Sequence, residues 1–301
     1  MKFWGATTGV LPWHDCGLMG TERFWQQALA QSEAALAASA LVPLATRLES
    51  LNGESGVIFE IRHLTGVPPR HLRAAGPKPN PFRPWDPRLQ VDQIDKHHVL
   101  ILNKYPVQIG HMLLISRDWA PQIGWLGRVD WQAVAHVDQD TSGLWFFNSG
   151  PTAGASQPHR HLQLLPRRAD EPICPRAKWF LEHSGPSADR DRDPLRASCV
   201  VQALPGSMLT AECLGDAYRS LCSRAGLGTP ELLDQPARPY NILFNRQWMA
   251  LILRSQEGVH GFSVNALGFA GYLLSTSVSD LPWLEQAGPE ALLREVVPLI
   301  P

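Results

Sequence analysis

The sequence predicts an α+β protein with a largely antiparallel sheet flanked by helices. Three paired runs carry that expectation. "HHVLILN" and "HMLLIS" are joined by "KYPVQIG", whose Pro and Gly suit a turn. "GLWFFNSG" and "HRHLQLLP" flank a Gly-rich turn, and "YNILFNRQWMALILRS" reads as two strands with a tight turn near Asn245.

In chain order, residues 21–50, "TERFWQQALAQSEAALAASALVPLATRLES", are rich in Ala, Leu, Gln and Glu and read as helix, with Thr21 as cap and a break or kink at Pro43. "GVIFEIRHL" alternates as a strand. Residues 66–90 carry too many prolines for regular structure and read as a covering or binding loop. After the first strand pair, "VDWQAVAHVDQD" reads as helix, and the second pair follows. "SGPSADRDRDPLRAS", residues 184–198, reads as an exposed link. Beyond it come a strand in "ASCVVQALP", a helix in "TAECLGDAYRSLCSRAGLG" and the third strand pair. "GFAGYLLS" reads as a further strand, and "SDLPWLEQAGPEALLREVV" as terminal helix.

The 301 residues suit about two domains or one larger unit. The expected division is 1–190 and 191–301, the second part packed on the first as one integrated unit. A hydrophobic content of 44% with 18% charged residues fits a sizeable core. A net charge of -1 gives no bulk basic field for nucleic acid or anionic lipid, so neither is expected as a partner. The five cysteines are scattered, odd in number and without a CxxC pair, which fits reduced cytosolic thiols. The N-terminus lacks the apolar core of a signal peptide, and no run approaches the ~20 apolar residues of a membrane span. These features predict a cytoplasmic location.

The chemistry concentrates in "GASQPHRHLQLLP". On a strand, residues i, i+2 and i+4 share a face, so His159, His161 and Gln163 are expected to project together. A neutral imidazole can be a nucleophile, a base or a metal ligand. An amide cannot exchange protons near neutral pH but can donate to an anionic oxygen. In Gly154, Ala155, Ser156 and Gln157, small residues let backbone N–H groups approach a phosphate. The set suits phosphoryl or nucleotidyl transfer through a phosphohistidine. An HxH pair alone also suits metal binding, a reading that the amide in third place weakens.

"GASQPHRHLQLLP" resembles the active-site signature of the ATP adenylyltransferases, or diadenosine tetraphosphate (Ap4A) phosphorylases. These are the transferase branch of the histidine-triad superfamily, with glutamine in place of the third histidine. "NPFRPWDP", "LILNKYPVQIGHMLLISR" and "YNILFNRQWMALILRSQEGVHGFSVNALGFAG" agree with the family in the same order. The resemblance implies a histidine-triad-like fold and the reversible reaction of Ap4A with phosphate to give ATP and ADP. It makes His161 the nucleophile that carries AMP, gives His159 an orienting and phosphate-contacting role, and sets Gln163 on the α-phosphate. Asn148 and the Gly154–Gln157 run would line the phosphate path, and Asn103 with Lys104 the nucleotide site. Ser263, Asn265 and Gly268 would contact nucleotide. A divalent cation, Mg2+ by expectation, would arrive with the polyphosphate.

The family's basic residue after the first strand has four candidates, Arg62, Arg70, Arg73 and Lys78, of which Arg70 is the expected one. Phe82 and Trp85 could stack on adenine but read first as core or loop anchors. His97, His98 and His111 read as structural. Because glutamine cannot act as a general base, the adenylyl-histidine is expected to outlive its histidine-triad counterparts. Two other readings stand beside this one. Hexose-1-phosphate uridylyltransferases share HxHxQ, with Pro where this chain has Arg160. A non-catalytic sensor of dinucleoside polyphosphates would bind without transferring.

Overall fold

The structure is a computed structural model that describes residues 21–66, 80–168, 170–184 and 193–299. Its centre is an eight-stranded sheet, antiparallel at every pairing. In chain order its strands are β3 (Gln90–Gln93), β4 (His98–Leu102), β5 (Met112–Ser116), β6 (Gly143–Asn148), β7 (His161–Pro166), β8 (Cys199–Ala203), β9 (Tyr240–Phe244) and β10 (Trp248–Leu253). Their spatial order is β3-β4-β5-β7-β6-β9-β10-β8. The β6–β9 pairing, Asn148↔Asn241 to Trp145↔Phe244, joins the two halves of the chain in one sheet. A smaller sheet pairs β1 (Thr46–Asn52) antiparallel with β2 (Ile58–Leu64), and β2 parallel with β11 (Tyr272–Ser275). The α+β class and the antiparallel sheet are as the sequence predicts.

The two faces of the large sheet differ because successive side chains point to opposite sides. Leu100, Leu102, Leu114, Leu162, Leu164, Trp145, Phe147, Ile242 and Phe244 join one continuous core under helices Arg23–Ala37, Arg128–Asp140 and Ala211–Arg224. On the other face Leu144, Phe146, Leu243, Ala250 and Ile252 meet Phe59, Phe180, Phe269, Leu284 and Leu292. A separate small cluster on that face holds Phe82, Val99, Ile101, Leu113 and Ile115.

Four elements depart from the sequence reading, one of them the expected exposed link, whose described end forms a short helix, Pro194–Ala197, with Leu195 buried. The first helix stops at Ala37, and residues 46–52 form β1 rather than continuing it. Beyond the helix, Val42 N–H and Leu44 N–H donate to Lys104 O and Pro106 O at 2.9 Å each, which lays the chain along the turn after β4. Thr21 does not cap the helix with its side chain. Instead Asp140 accepts from Phe24 N–H at 3.1 Å and from the Thr21 hydroxyl at 2.6 Å. The "GFAGYLLS" stretch begins as helix, Ala266–Ala270, because Asn265 Oδ1 caps Leu267 N–H at 2.9 Å; Gly271 at φ 103° then turns the chain into β11. The terminal helix is two, Leu281–Ala287 and Pro289–Glu295, divided at Gly288. Among the described residues no helix is long and apolar enough to cross a membrane.

Candidate active site

The site lies on the face where the apolar covering divides. Across it runs the row Leu113–Gln163–Phe146, with Ile115 opposite His161 two pairs along and on the same face. Leu113 and Ile115 belong to the small cluster and Phe146 to the large one, so His161 and Gln163 form the polar seam between them. Both are buried. His159 is not on the strand; it precedes it, in a bridge to Pro121. The expected i, i+2, i+4 face therefore starts at His161, and His159 is held by other means.

Hydrogen bonds define the protonation pattern of the rings. His161 Nδ1 lies 2.8 Å from His159 O. A carbonyl only accepts, so Nδ1 carries the proton and Nε2 keeps its lone pair. No other described residue engages that Nε2. His159 Nε2 lies 2.7 Å from Ser116 O and 3.0 Å from its hydroxyl, so it is Nε2 that is protonated. Its Nδ1 accepts from Asn80 Nδ2 at 2.8 Å, and Asn80 Oδ1 accepts from Phe82 N–H. Phe82 packs against both rings, with centroids 5.7 Å from His159 and 5.3 Å from His161. Burial dominates the electrostatics, since an imidazolium would lose its hydration. It depresses His161 to about 4, against the His159 carbonyl whose bond to Nδ1 pulls the other way, and lowers His159 below its ordinary value. Both rings are neutral at neutral pH.

The turn after β6 is built on glycine. Gly150 sits at φ 86° and Gly154 at φ 83°, in the left-handed region that glycine tolerates. A Cβ at Gly154 would lie 2.8 Å from both Asn265 Cβ and Val264 O, so the C-terminal segment can close on the turn only over glycine. Gly154 N–H and Ala155 N–H are used inside the turn, donating to Pro151 O at 2.8 Å and Gly150 O at 3.0 Å. The donors left for an anion are those of Ser156 and Gln157. Behind the turn, Asn148 Oδ1 accepts from Asn241 Nδ2 at 2.8 Å and Ala266 N–H at 2.9 Å. Asn241 Oδ1 accepts from Arg254 Nη1 at 2.7 Å, and the Arg254 guanidinium also donates to the carbonyls of Val264, Gln256, Glu257 and Val296. Burial lowers the Arg254 guanidinium to about 10, which leaves a positive charge behind the asparagine pair at neutral pH.

Residues 16–176 match the Ap4A phosphorylase N-terminal domain, and residues 195–298 match the ATP adenylyltransferase C-terminal domain. The chain belongs to the Ap4A phosphorylase family. Protein APA1 of Saccharomyces cerevisiae is 27% identical over 202 residues, which span 60% of this chain and 62% of that protein. The same yeast's diadenosine 5',5'''-P1,P4-tetraphosphate phosphorylase 2 is 27% identical over 226 residues, 65% of this chain and 68% of the relative. The crystal structure of yeast Ap4A phosphorylase Apa2 in complex with AMP has the same fold, with a TM-score of 0.73 at 22% identity, covering 93% of this chain and 98% of that one.

Against that family pattern, several expected residues sit elsewhere or do other work. Both ring nitrogens of His159 are taken by protein groups, so the expected phosphate contact has no nitrogen left; what remains is its carbonyl on His161 Nδ1. Asn103 uses its amide inside the turn after β4, accepting from Tyr105 N–H at 3.1 Å and donating to His111 Nδ1 at 3.1 Å. His111, read as structural, is buried on the seam beside Gln163 and Phe146. Lys104 is exposed, with its ammonium 5.7 Å from the Tyr105 ring. The Ser263 hydroxyl points outward to Glu257, and Gly268 is needed for packing, since its Cβ would meet Val264 Cγ1 at 2.8 Å. Asn265 is a helix cap. Phe82 is buried on the two histidines, and Trp85 is a loop anchor, half-buried against the small cluster with its indole N–H on Gln90. Arg62 lies on β2 beside Glu60, whereas Arg70, Arg73 and Lys78 fall outside the described residues.

Sequence reasoning missed Gln122, Asn80, Asn241 and Arg254. Each also bonds a residue from a distant element, His159 for Asn80, Asn148 and His161 for Gln122, Asn148 for Asn241 and Val264 and Val296 for Arg254, and no local spacing announces that partner.

Proposed function

We propose that this chain is an Ap4A phosphorylase that works by double displacement at His161. One observation carries the reading: His161 is a buried, neutral imidazole with Nδ1–H given to a carbonyl and the Nε2 lone pair left toward the seam. Nε2 attacks the α-phosphorus of Ap4A, the P–N bond forms, the α–β bridging P–O bond breaks, and ATP leaves. Positive charge builds on the ring as this happens, and the His159 carbonyl at Nδ1–H strengthens its bond with that charge. Inorganic phosphate then attacks the adenylyl group, the P–N bond breaks, and ADP leaves with the imidazole restored. The same steps run backward from ATP and ADP.

Gln163 acts as the amide donor to α-phosphate oxygens, and Ser156 with Gln157 supplies donors further along the chain of phosphates. Mg2+ travels with the polyphosphate, whose charge it offsets. Water is kept from consuming the intermediate because, among the described residues, the seam offers no spare base. His159 and His111 each give one nitrogen to an asparagine amide, Asn80 or Asn103, which fixes the proton on the other. The test is the fate of labelled inorganic phosphate with Ap4A. All label is expected in ADP and none in ATP, with parallel initial-velocity lines as ping-pong transfer requires. Label in ATP, or release of AMP without ADP, contradicts the reading.

A further inference from the structure

Gln122 bridges the two strands that flank the seam at the point where their own pairing ends. The β6–β7 ladder runs from Gly143↔Pro166 to Phe146↔Gln163. Beyond it the buried Gln122 side chain takes over. Its Oε1 accepts from His161 N–H at 2.8 Å, and its Nε2 donates to Asn148 O at 2.8 Å and to His161 O at 3.1 Å. We infer that Gln122 is a positioning residue, a side-chain rung that spreads β6 from β7 and fixes the nucleophile against the phosphate turn.

A neutral amide in this orientation satisfies one N–H and two carbonyls together, which a carboxylate, having no donor, does not. The next residue supports the same assignment, because Ile123 presses on the turn so closely that a Cβ at Gly150 would lie 2.5 Å from Ile123 Cγ2. One short segment thus touches both the nucleophile and the turn. It is tethered in place: Gln122 N–H donates to Pro158 O at 2.8 Å, and Arg160 reaches Pro121 O at 3.2 Å and Asp130 at 3.1 Å. Among the described residues the ionisable groups around the rung are Arg160, Asp130 and the two neutral histidines, His159 and His161, with Arg83 acting on His159.

The role deepens the phosphorylase reading and rests on it for its catalytic consequence, so the test has one arm that needs no substrate. Nitrogen-15 NMR of the imidazoles in the full chain is expected to show His161 as the Nδ1–H tautomer, and in Gln122→Met as a mixture, since the backbone on both sides of its ring bond is released. In the same variant, adenylyl-histidine formation should slow about 100-fold, the usual cost of an ångström-scale misplacement, with the KM for Ap4A changed less than about threefold. Gln122→Glu places a carboxylate against two carbonyls. Its rate should be low at pH 8 and recover toward wild type at pH 5.5, where the protonated acid can donate and His161 is still neutral. A merely structural role predicts a deficit that does not depend on pH. Should the methionine variant fail to fold, the glutamate variant at the two pH values decides alone. Wild-type tautomer and rate in Gln122→Met, or a pH-independent loss in Gln122→Glu, overturns the assignment. Absence of adenylyl-histidine in the wild type overturns the phosphorylase reading, while the tautomer comparison still decides what Gln122 does.

Discussion

The two faces of the eight-stranded sheet receive side chains from the same strands and use them differently. β7 sends Leu162 and Leu164 into the continuous core and His161 and Gln163 into the seam between two clusters. β6 does the same, with Trp145 and Phe147 on one face and Asn148 on the other. The continuous face can be held by contact area alone. The divided face must be held by directed hydrogen bonds, because a polar side chain there contributes only when its partners are placed. Stability and chemistry are therefore separable by face, one residue apart on one strand.

The largest effect should come from the seam. His161→Ala is expected to cut phosphorolysis by more than about 10^4-fold, the scale of losing a nucleophile, while its unfolding free energy falls by less than about 2 kcal/mol. Steady-state rates and a denaturant melt measure the two together. The mirror experiment is Leu164→Ala, which should cost about 2–5 kcal/mol of stability and leave the rate per folded molecule within about tenfold. Equal losses of both quantities in both variants would erase the distinction between the faces. Next in size is Gly154→Ala, expected to cost on the order of 1–3 kcal/mol, because the added Cβ meets Val264 O and the residue sits at φ 83°. Its KM for Ap4A should rise as the turn shifts, and an unchanged melt would show that the C-terminal segment does not close on it.

The smallest effect is in pH. His161 and His111 are each held near 4 by burial, below the ordinary 6.5. Between those values the unfolded chain binds protons that the folded chain refuses. Stability is fully present above about 6.5 and is lost as pH falls, by on the order of 1 kcal/mol per histidine between pH 7 and 5.5. Catalysis by neutral His161 should persist over that range and fall only as pH drops toward 4. An acid limb near 6.5 in kcat/KM would contradict the buried, neutral nucleophile.

The strands of the sheet were legible because β4, β5, β6, β7, β9 and β10 are short apolar runs closed by turn residues. β1 was not: its side chains are mostly exposed, so Thr46–Asn52 shows no alternation and joins by eye to the Ala-rich helix before it. His161 and Gln163 could be found from spacing, since two positions on one strand face follow from the period of a strand. His159 could not be placed that way, because it precedes β7 and is fixed by Asn80 and Ser116 from other segments. Asn148 was visible as part of the motif, but not its bonds to Asn241 and Ala266, which need the β6–β9 pairing to exist first. Gln122 left no sequence signal at all.

The claim that His161 Nε2 forms a covalent bond to phosphorus is tested most directly by trapping it. The protein is incubated with Ap4A labelled at an adenosine-linked phosphate and no inorganic phosphate. The account predicts label on protein that survives base, is lost in mild acid, is absent from His161→Ala, and is discharged as ADP when phosphate is added. Tight binding of Ap4A with no covalent label and no ATP formed would show that His161 is not a nucleophile and that the seam binds the dinucleotide without transferring from it.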